Sequence, residues 1–353
     1  MTLPYLTAEL PGTGGALRTT EDDFVVDEEL PYAPAGTGDH VFVRVEKRGL
    51  ATPAAVDVIA RTLGIQPRDI GVAGLKDRHA VTRQWLSLPP PIDPAQASAL
   101  ALPQIRVLEA HRHPHKLRTG HVRANRFVLR VRGVAADAEA RAAAILGALA
   151  QPPGAPNFYG EQRFGRDGDN AARGRAIVLG EQPAPRDRRL ARLLVSSLQS
   201  ALFNAWLVDR LADGLYRTAV AGDLLRKRSG GMFACTEPDV DSARLAAGEL
   251  VVTGPMFGDR MRAPAPDTPA AAREAAVLAR HDLPADAFAR VRAIAEGTRR
   301  DASIEVGAPT VHAVDASTLE LAFALPGGAY ATTVMREILK DAAAAVDAAP
   351  QAR

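Results

Sequence analysis

The chain is nearly devoid of cysteine: Cys235 is the only one in 353 residues. A single thiol cannot build an intramolecular disulfide framework, a four-cysteine zinc site or a CxxC redox pair, so those classes are excluded. Aromatic residues make up only 5% of the chain. Lysine is scarcer still: of 43 basic residues, 38 are Arg and 5 are Lys (Lys47, Lys76, Lys116, Lys227, Lys340). Long apolar runs are missing, and stretches such as 142–150 are too short to cross a bilayer. Residues 1–15 have no basic segment followed by an apolar core, so export is not expected. Gly12–Gly15 lacks the GK[ST] ending of a phosphate loop, and Ser196, Ser197 and Ser200 have no GxSxG elbow around them. No 20–50-residue repeat is visible. What these absences leave is a soluble, cytoplasmic globular protein, 47% apolar and long enough for two or three domains.

Net charge is only +2, yet its distribution is uneven. Residues 105–132 hold eight Arg or Lys against one acid, Glu109, whereas residues 21–29 carry six carboxylates. A concentrated basic stretch in a near-neutral chain is the pattern of a local phosphate-binding surface. Proline and glycine break the chain at 88–95, 151–156, 182–186 and 263–270, and 151–156 is the best candidate for a domain crossing.

Periodicity places several elements. Val41, Val43 and Val45 alternate on a strand over 40–45. Thr52 and Pro53 read as N-cap and first residue of a helix carrying Val56, Ile59 and Leu63, ended by Gly64. Asn125, Phe127, Leu129 and Val131 share one side of a strand over 125–134. Helices are expected over 138–150 and over 190–213, the latter with a stripe of Leu190, Leu193, Leu194, Leu198, Ala201 and Leu202. Leu319, Leu321, Phe323 and Leu325 point inward from another strand, and a last helix starts at Thr332 or Thr333 and runs into the Ala-rich 341–349. The glycine-rich 165–174 reads as a surface loop. Strands and helices mix without a βαβ rhythm, so the class is α+β.

His111, His113 and His115 alternate, but Pro114 breaks the strand and no fourth ligand is near, so no metal site is expected. The segment 71–85 (GVAGLKDRHAVTRQW) sets Asp77 between Lys76 and Arg78. Flanking cations keep a carboxylate ionised, which suits a nucleophile or base; an ordinary exposed polar turn would look the same. Phe127 in a basic stretch is either a core residue or a platform for an extruded base.

Residues 74–85 (GLKDRHAVTRQW) resemble the GxKDxxAxTxQ signature of the TruD family of tRNA pseudouridine synthases. The similarity continues in order: KLRTGHVRANRF at 116–127, PNFYGEQRFG at 156–165, SALFN at 200–204, TGP at 253–255 and LPGGAYATTVMRE at 325–337. The resemblance implies isomerisation of a uridine in tRNA, expected at position 13, with neither metal nor organic cofactor. It implies Asp77 as the catalytic aspartate. Asp22, Phe24, Lys76, Asn125, Phe127 and Tyr330 become substrate-binding residues, with Phe127 stacking on a flipped base. Arg112, Lys116, Arg118, Arg123, Arg126 and Arg163 become RNA-binding residues.

Two departures from the family pattern stand out. Counting back from Phe24 puts Asp22, not Glu21, at the family's glutamate, and Ala124 replaces a glycine. The implied fold is a pseudouridine synthase catalytic domain, a curved mixed sheet flanked by helices, made of 1–155 and 307–353. An α+β TRUD domain is inserted at 156–306, and a cleft lined by 112–132 takes the tRNA. A monomer with no obligatory protein partner and no membrane contact is expected. Two other classes stay open: a non-catalytic RNA-binding protein of this fold, and a metal-dependent RNA-cleaving enzyme using Asp77 with Asp22 or Asp23.

Overall fold

The β-branched and aromatic alternation read from the sequence becomes a large sheet. The computed structural model describes residues 3–340. Ten strands of the described residues form this sheet, in the order Gly307–Asp315, Thr318–Pro326, Ala124–Arg132, Phe24–Glu29, Val81–Leu88, His40–Arg48, Ile105–His113 and Ala101–Leu102. Ala16–Leu17 joins the Ala124 strand and Gly71–Val72 joins the Val81 strand. Phe24–Glu29 runs parallel to Val81–Leu88; the other pairings are antiparallel, so the sheet is mixed.

Alternation decides what each strand buries. Asn125, Phe127, Leu129 and Val131 are buried along one side of their strand, as read from the pattern. Leu319, Leu321, Phe323 and Leu325 are buried likewise. The His40 strand differs: it runs three residues past Val45 and buries Phe42 and Lys47 as well as its valines. Val41, Val43 and Val45 pack with Ile59, Leu86, Leu88 and Ile105.

Helix Thr52–Leu63 ends at Gly64, whose φ of 67° is left-handed as a helix stop requires. Its cap is Ala51 rather than Thr52, because the Thr52 hydroxyl is used elsewhere, in the site described below. Helix Ala138–Ala150 keeps the expected bounds, and the last helix is Ala331–Leu339; the Ala-rich 341–349 lies outside the described residues. The 165–174 loop is shorter than expected, since a helix begins at Asn170.

By packing, the described chain divides into two compact units. One comprises 10–147, 306–331 and 338–340, and includes the ten-stranded sheet. The other comprises 3–9, 148–305 and 332–337. In it, helix Arg188–Ala212 lies with a four-stranded sheet of Met232–Ala234, Leu224–Lys227, Leu250–Met256 and Thr298–Asp301. Leu202, Phe203, Trp206 and Val252 fill the core between them, while Leu193 of the predicted stripe is exposed. Gly254 of the TGP segment must be glycine, since a Cβ there would stand 2.5 Å from the Trp206 ring. Ala155–Pro156 pairs antiparallel with Ser303–Ile304, so the stretch between them leaves and returns at neighbouring points.

Candidate active site

Asp77 sits in the 73–80 loop between the Gly71 and Val81 strands, with its side chain half exposed at 51%. The loop is held from beneath. The Lys76 N–H donates to the Thr52 hydroxyl at 2.8 Å, and the Thr52 N–H to the Lys76 carbonyl at 3.3 Å. The Lys76 ammonium turns inward, 2.7 Å from Glu28 Oε2 and 2.5 Å from Asn125 Oδ1. Glu28 is fully buried, and its Oε1 accepts from the Trp85 N–H at 3.0 Å. This arrangement follows from register: Glu28 lies directly opposite Asn125 in the sheet. A Cβ at Gly74 would stand 2.9 Å from Glu28 Oε2, so a larger residue there would push on the buried pair.

The cation on the Asp77 carboxylate is Arg18, at 3.4 Å. Its guanidinium also lies over the Phe24 ring, 4.0 Å from the centroid. Phe24, Phe127 and Phe323 then continue as a row of rings, with centroids 6.1 and 5.6 Å apart. Phe127 therefore sits inside an aromatic core and is only 6% exposed, where the family resemblance expects a stacking platform. A buried Lys47 completes the surroundings, donating to the Asp77 carbonyl at 3.1 Å. Burial pushes its ammonium down to about 8, partly offset by the Asp77 charge and assisted by that of Lys76. A half-exposed carboxylate with a guanidinium on its charge is equipped to act on an approaching electrophile or to accept a proton.

The remaining sequence candidates fall in several places. Asp22 is exposed and pairs with Arg48 at 2.6 Å. Its neighbour Asp23 is the buried acid: it receives the Arg132 guanidinium at 2.7 Å and the Thr20 N–H at 2.8 Å. Burial raises the Asp23 carboxyl, but Arg132 and Thr20 more than offset this and hold it below the usual range. Ala124 lies in extended strand, so this position needs no left-handed backbone. Tyr330 is exposed, four residues beyond the strand that places Leu325 opposite Asn125.

Among the basic residues, Arg118 is exposed, Lys116 donates to the Arg68 carbonyl at 2.6 Å and Arg112 to the Gly38 carbonyl at 3.3 Å. Arg123 and Arg126 both reach Glu29, at 2.8 and 3.5 Å. Alternation puts Arg126 on the sheet face opposite Asn125 and Phe127. Arg163 belongs to the second unit, where it donates to Ser200 at 3.0 Å; there Asn204 bonds both backbone groups of Tyr159. Arg18, Glu28 and Lys47 escaped the sequence reading. The Glu28 strand position, alternating with Phe24 and Val26, was the one available signal, since an acid on a core face needs a buried partner.

The described residues contain no cluster of three or more His, Cys, Asp or Glu able to hold a metal ion, and no helix long and apolar enough to cross a membrane.

Comparison with known proteins gives a consistent result. The family model described as tRNA pseudouridine synthase D (TruD) matches residues 1–184 and 186–338. The tRNA pseudouridine synthase D of Anaeromyxobacter dehalogenans is 52% identical over 344 residues, covering 96% of each chain. That of Thermus thermophilus is 40% identical, over 96% of this chain and 92% of its own. A solved structure from Methanosarcina mazei, described as a candidate tRNA pseudouridine synthase D, superposes with a TM-score of 0.78 at 24% identity, covering 96% of both chains.

Proposed function

The chain belongs to the TruD family of tRNA pseudouridine synthases, and from that premise we propose that Asp77 isomerises uridine 13 of tRNA after the base is flipped from its stack. The observation that carries this is the Asp77 loop: a half-exposed carboxylate inside the family's signature segment, with Arg18 on its charge. The carboxylate acts on the ribose, by adding to C1′ or by removing the 2′ proton. Either route breaks the N1–C1′ bond, and the freed uracil turns to join through C5, which then loses its proton. An ionised group stabilises the positive charge that develops at C1′. Extruding the stacked base costs a few kcal/mol, supplied by contacts elsewhere on the tRNA.

Glu28, Lys76 and Asn125 form the floor that keeps the loop in one conformation. Phe24 supports Arg18, and Phe127 packs edge-to-face with Phe24 in the aromatic row. Tyr330, Asp22 and Arg112, Lys116, Arg118, Arg123 and Arg163 are read as contacts to the RNA outside the reacting base. Residues 156–306 are read as the family's inserted domain. The enzyme is taken to act in the cytoplasm as a monomer, on tRNA and without a cofactor.

The decisive experiment pairs Asp77→Asn with mapping of pseudouridine in tRNA. Tritium release from C5-labelled uridine should fall below about one part in a thousand, while tRNA affinity holds within about tenfold, or ~1.4 kcal/mol. Full turnover in the variant would reject Asp77, and modification at a position other than 13 would reject the assigned site.

A further inference from the structure

One anchor of the Asp77 loop grips the Asp77 backbone itself and comes from the His40 strand. Lys47 lies near the end of His40–Arg48 and is wholly buried, an expensive setting for an ammonium. Its Nζ donates to the Leu50 carbonyl at 2.5 Å and to the Asp77 carbonyl at 3.1 Å. The other loop anchors act one residue earlier, on Lys76. We propose that Lys47 is a positioning residue for the isomerisation, its ammonium clamping the backbone of Asp77 so that the carboxylate faces the ribose. The inference rests on the reading of Asp77 as the reactive group.

The charges around Lys47 support a clamp that depends on protonation. The Asp77 carboxylate favours the charged form and the Lys76 ammonium opposes it. Its strand neighbours are engaged elsewhere: Glu46 pairs with Arg83 and Arg106, and Arg48 with Asp22. Arg18 holds the carboxylate itself. Burial brings the Lys47 ammonium down to about 8, within the range over which the enzyme can be assayed. Charge-assisted bonds are about twice as strong as neutral ones, so loss of the proton loosens both carbonyl contacts.

The test is single-turnover tritium release by the full-length enzyme on tRNA across about pH 6.5 to 9.5, beside filter binding. The parent should lose rate above about pH 8. Lys47→Met should be slower by about tenfold or more near pH 7, show no alkaline limb, and bind tRNA within about threefold of the parent. Lys47→Arg, which keeps a cation, should recover part of the rate and lack the limb. Turnover by Lys47→Met within about twofold of the parent, or a limb that persists in it, overturns the proposal. Should Lys47→Met not fold, the parent itself decides: lysine labelled at Cε gives five signals, one per lysine. One should titrate near 8 and move lower in Asp77→Asn, where the favourable carboxylate is gone; no lysine titrating below about 9.5 rejects the clamp. An active Asp77→Asn would sink the carboxylate assignment. An inactive Asp77→Asn beside an unaffected Lys47→Met would sink the clamp alone.

Discussion

The Glu28–Lys76 pair offers a quantitative test of the floor beneath the Asp77 loop. The two side chains are 0% and 8% exposed and 2.7 Å apart, so neither charge has water to fall back on. Removing one partner of a buried pair leaves an uncompensated charge and costs about 3–5 kcal/mol, whereas removing both can be nearly neutral. Lys76→Met strands the Glu28 carboxylate and takes the donor from Asn125 Oδ1, so the full cost is expected. Glu28→Gln keeps an acceptor for the Trp85 N–H, 3.0 Å away, and avoids the further 1–3 kcal/mol or so of an orphaned N–H. The double variant should therefore be less destabilised than the sum of the two singles by about 2 kcal/mol or more. Urea unfolding followed by tryptophan fluorescence can measure this for one unit of the chain. Of the two tryptophans, Trp85 lies in the unit with the large sheet and Trp206 in the other, so a Trp206→Phe background leaves Trp85 as the reporter. A coupling of less than about 0.5 kcal/mol would show that the pair is not the buried, mutually dependent unit that its geometry implies.

Asp23→Ala removes a buried acceptor of the Thr20 N–H and the Arg132 guanidinium and should destabilise more than Asp22→Ala, which on a surface pair should cost less than about 1 kcal/mol; equal costs in urea unfolding would contradict this. Phe127→Ala opens the aromatic row and should cost about 3–5 kcal/mol of stability, more than the 1–3 kcal/mol or so of a lost stacking contact. A variant as stable as the parent but deficient only in turnover would restore the stacking-platform reading. In salt titrations of tRNA binding, Arg118→Ala should flatten the log–log slope by about one unit and Arg126→Ala should leave it unchanged; the reverse order rejects the face assignment. The pH dependence of stability follows from Lys47. Between 8 and 10.5 the unfolded lysine keeps a proton that the folded one has released, so stability rises with pH through that window, by about 3 kcal/mol at most. Comparing urea midpoints at the two ends should show a larger rise in the parent than in Lys47→Met, and equal rises would reject the shift.

The strands and helices were legible wherever period and punctuation agreed: Ala138–Ala150 emerged with its bounds intact, and Asn125, Phe127, Leu129 and Val131 share a buried side. Thr52 misled because a hydroxyl beside Pro53 reads as a cap, and nothing local reveals that a residue 24 positions away claims it. The signature segment drew attention to Asp77, but its supports lie at residues 18, 28, 47 and 125, joined only by sheet register. An arginine in a chain of 38 arginines carries little information about which carboxylate it will meet. Glu28 and Asp23 were submerged in an acidic run whose members look alike in sequence and divide, in three dimensions, between core and surface.

The position of Thr318–Pro326 beside Ala124–Arg132 has a consequence for biosynthesis. One edge of the Ala124 strand finds its partners early, in residues 16–17 and 24–29, whereas the other waits for residues that emerge almost two hundred positions later. At about 5–20 residues per second, the ribosome takes roughly 10–40 s to deliver them. Through that interval the nascent chain carries an open backbone edge along the very strand that bears Asn125, the kind of edge that recruits foreign strands. A message broken before codon 318 thus yields a chain that lacks the strand joining Gly307–Asp315 to Ala124–Arg132 and leaves that backbone edge open, which makes such fragments natural clients for chaperones and proteases.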